Sequence, residues 1–198
     1  MILAAAVLGL AYGLLLRRGY LSSILKKHFR VPVLIFLSLG MEFLLKSEYL
    51  RNSLGGEAYY PVLRIVLAIL QYALVLTFLF RNRFKPGMGC LMAGSVLNGL
   101  VICSNGGRMP IGHLITILPG YGAAALEKIA HAPHYFLAAG GEPFLWFGDL
   151  IPFWTFGFYM ISVGDILLSI GAFRLAAYMP RRVTRQNQPT LRRACPRR

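Results

Sequence analysis

The sequence predicts an all-α integral membrane protein with about five transmembrane helices, and three observations lead there. Apolar residues make up 57% of the 198-residue chain, above the 45–50% usual for soluble domains. They are gathered in runs approaching the roughly 20 residues that cross a bilayer. The basic residues fall on alternate connections, the pattern that orients membrane proteins. The net charge of +14 is therefore read as topology and not as a nucleic-acid footprint.

The first run, residues 1–16, has its positive charges, Arg17 and Arg18, after it and none before it. A cleaved signal peptide has the opposite order, so this run is expected to remain as a short first span. The next runs are residues 31–50, 61–80 and 87–104, and the last is 155–178. Arg17, Arg18, Lys26, Lys27 and Arg30 follow span one, Arg81, Arg83 and Lys85 follow span three, and Arg174 with seven tail arginines closes the chain. That puts 16 basic residues on one side, against Lys46, Arg51, Arg108 and Lys128 on the other. The expected topology is N-terminus outside and C-terminus inside, in a bacterial cytoplasmic (inner) membrane. Residues 1–179 form one transmembrane domain on this reading. Residues 180–198, rich in Arg and free of acid, form a disordered cytoplasmic tail.

One connection is long. Residues 105–154 are expected on the external side, with a short helix over Tyr121–Ala132 ended by Pro133. Eight aromatics between 144 and 159, including both tryptophans, suit the membrane–water interface.

The segment Ser104-Asn105-Gly106-Gly107-Arg108-Met109-Pro110 closes span four. It cannot continue a helix, and irregular backbone near membrane depth survives only under protein cover or beside a water-filled cavity. With the alternating directions, Glu42, Arg64, Asn98, Arg108 and Asp165 come to similar depth toward the outer face. Ionisable groups there pair or face a cavity. The candidate ion pairs are Glu42 with Arg64, and Arg108 with Asp149 or Asp165. The candidate ligand-binding set is Asn98, Asn105, Gly106, Gly107, Arg108, Asp149 and Asp165. Because Arg108 is positive, the ligand class expected is an anionic lipid headgroup or an anionic small solute.

Ser162-Val163-Gly164-Asp165 has the form of a helix start, yet an unbroken helix through Gly164 fits the same residues. Asp149 and Asp165 are the only aspartates, each after a Gly. Intramembrane aspartyl proteases use two membrane aspartates, one of them in a Gly-x-Gly-Asp motif, but here Ser162 stands where the first Gly would be. A continuous span five would keep the two carboxyls more than about 10 Å apart. Glu127, His131 and His134 have helical spacing for a metal, interrupted by Pro133, and no metal site is expected. Cys90 and Cys103, 13 residues apart in one run, are too far apart for a disulfide if helical. No cofactor motif is present.

Several stretches in order are similar to a bacterial membrane-protein family known as domain of unknown function 5317. They are Arg18-Gly19-Tyr20-Leu21-Ser22, Asn82-Arg83, Asn98, Asn105-Gly106-Gly107-Arg108-Met109-Pro110, Phe147-Gly148-Asp149-Leu150-Ile151-Pro152 and Ile161-Ser162-Val163-Gly164-Asp165-Ile166-Leu167. Where the family carries a Thr before the first Gly-Asp, this chain reads Gly141-Glu142-Pro143-Phe144-Leu145. The resemblance implies a multi-span inner-membrane protein and carries no activity with it. The functional expectation is a non-enzymatic binding protein, or a subunit of a larger membrane complex, in contact with the lipid bilayer. The alternatives are an oligomeric transporter of a small solute or lipid, and a protease-like enzyme.

Overall fold

Each apolar run contributes a helix over much of its described length, because apolar stretches satisfy their backbone internally as helices when no sheet partner is near. The computed structural model describes residues 1–16, 29–46, 60–117, 134–154 and 158–180, with a few isolated positions between 122 and 132. The helices are α1 (Ile2–Ala11, extended by a π-turn over Tyr12–Leu16), α2 (Val33–Lys46), α3 (Tyr60–Arg81), α4 (Met88–Ser104), the single turn α5 (Leu114–Ile117) and α6 (Val163–Tyr178). Among the described residues only α3, at 22 residues, is both long and apolar enough to cross a membrane by itself; α1, α2 and α4 are shorter apolar helices. Five full-length spans are thus more than the described helices provide. The basic tail beyond Pro180, Cys195 and most of the helix expected over 121–132 lie outside the described residues.

The principal contacts run in the order α1–α6–α4–α3–α2. Glycines set the two closest. A Cβ on Gly94 would stand 2.6 Å from the Gly164 carbonyl oxygen, and one on Gly171 would stand 2.8 Å from the Gly87 oxygen. These glycines are seven residues apart on each helix and meet in reversed order, so α4 and α6 pack antiparallel with their backbones touching. Gly9 meets the Phe173 backbone, and Gly13 meets Ala177. Both pairs advance together by four residues, so α1 runs parallel to α6.

The fold is not all-α. Between α4 and α6 the chain makes two small sheets. In the first, β1 (Met109–Ile111) pairs in parallel with β2 (Tyr135–Leu137). The second is an antiparallel hairpin of β3 (Ile151–Trp154) and β4 (Phe158–Ile161), with Ile151 opposite Ile161. Strand β4 occupies the start of the expected fifth span, and α6 begins only at Val163. The aromatic, β-branched run over 151–161 prefers an extended pairing. The helix cannot begin earlier because Ser162 caps it. Its hydroxyl accepts from the Asp165 N–H at 3.0 Å, and the Asp165 carboxylate accepts from the Ser162 N–H at 3.3 Å. This reciprocal capping box decides between the two readings of Ser162-Val163-Gly164-Asp165.

At the opposite end, Asn82 is buried and fully used. Its carboxamide donates to the Arg30 and Phe78 carbonyls and accepts from the Arg30 N–H and Lys85 Nζ, all at 2.9–3.0 Å. This ties the end of α3 to the residues that lead into α2.

Candidate functional site

The Asn-Gly-Gly turn ends α4 by a specific device. Gly106 takes φ +67° and Gly107 φ +75°, and the Gly107 N–H bonds the Ile102 carbonyl at 2.8 Å. A left-handed residue just past the helix, with this long return bond, is the Schellman termination. Asn105 locks the turn, its Nδ2 donating to Val101 O at 2.8 Å and to Pro143 O at 2.9 Å. Arg64 Nε donates to the Gly106 carbonyl at 2.7 Å, so α3 holds the turn from the side.

Arg108 departs from expectation. Its guanidinium donates to the Tyr135 carbonyl (Nη2 at 2.7 Å, Nε at 3.3 Å) and lies 5.0 Å from the Phe136 ring centroid. It pairs with neither aspartate. The reason is local: the β1–β2 pairing places residue 135 opposite Met109, and a carbonyl presented to a guanidinium fork satisfies it without a second charge. Partial burial lowers its proton affinity.

The strand β1 also positions Asp149. The Asp149 N–H donates to Pro110 O at 3.0 Å, and the Gly112 N–H donates to Asp149 O at 2.9 Å. The two sequence stretches Asn105–Pro110 and Phe147–Pro152 are thus hydrogen-bonded neighbours. The β3–β4 hairpin then returns the chain, so that Asp149 before it and Asp165 after it face one cavity of about 380 Å3. The start of the expected continuous fifth span is replaced by this hairpin and the later start of α6.

The cavity lies among the expected polar residues and several others. Glu42 of α2, Asn98 of α4, Asp149 and Asp165 line it together with Gly107. So do Gln71 and Tyr72 of α3, and His134 and Tyr135 at β2. Ile2, Ala68, Ile102 and Met109 supply its apolar wall. Arg64, Asn105, Gly106 and Arg108 build the adjoining turn but do not line the cavity, and Glu42 belongs to it. Gln71 and Tyr72 were not anticipated. Their signal was a polar side chain in the middle of the most apolar run, four residues after Leu67. Among the described residues no three His, Cys, Asp or Glu side chains gather to hold a metal ion; His131 lies outside those residues. Cys90 and Cys103 are free thiols.

Within the cavity the two aspartates differ. Asp165 is engaged by Asn98 Nδ2 at 2.9 Å and by the Ser162 N–H, and Asn98 Oδ1 accepts from the Ser162 hydroxyl at 2.9 Å. Asp149 is 6% exposed, and its Oδ1 is buried without a hydrogen-bond partner. Burial, and secondarily the charge of Asp165, raise its pKa from 3.8 to about 8. The same carboxylates act on Tyr135. Burial comes first, then Asp149, Asp165 and Glu42, and together they push its phenol up to about 12. The Asp and Glu side chains among the described lining residues are not matched there by any Lys or Arg.

Fold and site define a small, mostly helical protein with a carboxyl-lined cavity, two of whose aspartates flank a short β-hairpin. The chain belongs to a family of unknown function, DUF5317, whose model matches residues 25–177. It is 31% identical over 122 residues to a protein of Thermotoga maritima whose printed description is "Uncharacterized protein". The match covers 59% of this chain and 66% of that relative, so the chain spans just under two thirds of the relative's length. No solved structure matches.

Proposed function

We propose that this is a non-enzymatic binding protein of the bacterial cytoplasmic membrane, acting alone, as a homo-oligomer or as a subunit of a larger membrane complex. Its binding site is the cavity of Glu42, Asn98, Asp149 and Asp165. The observation that carries this reading is Asp149, a residue whose main chain is held by two backbone hydrogen bonds while its buried side-chain Oδ1 has no hydrogen-bond partner. An unsatisfied buried polar atom costs about 1–3 kcal/mol, and at a cavity wall a ligand can recover that cost. Membrane residence is supported by the helix surfaces. Leu3, Phe36 and Phe43 are 70–77% exposed, more apolar surface than a soluble monomer leaves in water. The parallel α1–α6 and antiparallel α4–α6 packing agrees with alternating spans and with termini on opposite sides.

Two assays test the proposal. The first is mass spectrometry of small molecules released from protein purified in mild detergent, wild type beside Asp149→Asn. A molecule held by the wild type and missing from a folded variant is the expected result, and identical extracts refute the site. The second is a C-terminal alkaline phosphatase fusion, expected to be inactive; full activity reverses the topology.

The hairpin also brings together two aspartates, the groups an aspartyl protease needs. Both Asp165 oxygens already accept hydrogen bonds, from Asn98 and from the Ser162 N–H. A proton-sharing dyad needs that carboxylate turned toward Asp149, so the binding reading is the better supported.

A further inference from the structure

We infer that the cavity takes a small organic cation, an amine or quaternary ammonium, with its positive nitrogen set against Asp149. This deepens the proposed function and rests on it. It replaces the anionic ligand class that Arg108 led us to expect from the sequence.

Charge is the first argument. Three of the chain's seven acidic residues, Glu42, Asp149 and Asp165, line this cavity, and no described Lys or Arg does. The two nearby arginines point elsewhere: Arg64 donates to the Gly106 carbonyl and Arg108 to the Tyr135 carbonyl. An anion entering here meets carboxyl groups and, among the described lining residues, no Lys or Arg, so the lining disfavours it.

The second argument is the unpartnered atom. Asp149 is more than nine-tenths buried, and its Oδ1 has no donor. Asp165, by contrast, is already satisfied. An ammonium group brings N–H donors and a positive charge to Asp149, whose Oδ1 has no donor. Neither backbone nor side chain supplies such a donor.

Size and lining choose between an organic cation and a bare ion. The volume, about 380 Å3, lies within the small-molecule range of roughly 300–1,000 Å3. No metal-ligating cluster exists among the described residues. The apolar wall of Ala68, Ile102 and Met109 accommodates a hydrocarbon body, and the tyrosines Tyr72 and Tyr135 provide aromatic surface of the kind that favours cations.

Entry of the cation is coupled to loss of a proton. Burial of the Asp149 carboxyl with no donor on Oδ1 favours its protonated form. When the cation binds, the O–H bond breaks, the proton leaves to the buffer, and the carboxylate pairs with the nitrogen. The other titratable or charged groups near it are Glu42 from α2, Arg64 and Tyr72 from α3, Asp165 from α6, and Arg108, His134 and Tyr135 from the β1–β2 region.

The test uses the full chain in detergent and three probes of one shape: phenethylammonium, 2-phenylethanol and 3-phenylpropionate. Calorimetry at pH 7 in two buffers of different ionisation heat gives affinity and protons released. The expected result is phenethylammonium binding at least tenfold tighter than the alcohol or the carboxylate, with close to one proton released. Asp149→Asn is expected to lose at least tenfold in cation affinity and to release no proton. Alcohol or carboxylate binding as tightly as the ammonium, and lost in Asp149→Asn, overturns the cation assignment while the binding site stands. If no probe binds in an Asp149-dependent way, the cation assignment falls, and with it the site itself. The ranking on wild type decides even if the variant does not fold.

Discussion

Replacing Asp149 by Asn imitates the protonated acid and removes its titration, so the variant should outlast the wild type only at high pH. In the fold the carboxyl ionises near 8, because burial, and then the charge of Asp165, penalise the carboxylate. In the unfolded chain it ionises near its ordinary value of 3.8. The sign follows from proton counts. Between those two values the folded state holds a proton that the unfolded state has lost, so wild-type stability falls as pH rises from about 4 to 8. Below 4 both states are protonated and the penalty vanishes. Above 8 it is complete. At about 1.4 kcal/mol per pKa step, an upper bound is on the order of 6 kcal/mol. Even a third of that, about 2 kcal/mol, moves Tm by roughly 4–8 °C in a chain of this size. Thermal unfolding in detergent at half-unit steps from pH 5 to pH 9 reads the difference between variant and wild type, and groups common to both cancel. The difference should move in favour of the variant as pH rises from 5 to about 8 and level off toward pH 9. A difference that does not change with pH, or one that shrinks, refutes the account of Asp149 as a buried, unpaired carboxyl.

Five further substitutions, two of them as comparisons, check the frame around the cavity. Gly164→Ala drives a Cβ into the Asn98 carboxamide and should cost about 1–3 kcal/mol by overpacking. Gly40→Ala, with nothing within 4 Å, is the control for helix substitution and should be neutral or better; equal Tm for the two variants refutes the close α4–α6 contact. Asn98→Ala removes partners from the buried Ser162 hydroxyl and from Asp165 at once, and about 1–3 kcal/mol should be lost in denaturant melts. Gly107→Ala combines a left-handed φ of +75° with a Cβ 3.0 Å from the Arg64 backbone oxygen. Its loss of Tm should exceed that of Gly106→Ala, whose Cβ meets only the end of the Arg64 side chain at 3.7 Å.

Composition and periodicity located the helices because helix formation in an apolar run is a local event. The runs over 1–16, 61–80 and 87–104 became helices within a residue or so of their expected ends, and the Asn-Gly-Gly stop at 105–107 acted through its own backbone angles. The capping box at Ser162 was equally local and readable, although its residues alone could not choose between a start and a continuation. What escaped the sequence depended on partners distant along the chain. Arg108 went to a carbonyl because β2, some 27 residues later, lies beside β1. Asp149 met Asp165 because a hairpin whose register is set by side-chain pairing reverses the chain between them. Glu42, Asn98 and Asp165 were legible as residues at similar height along their helices, since height follows from helix direction and rise. Which of them face one another follows from helix rotation, and close glycine contacts between backbones set that rotation.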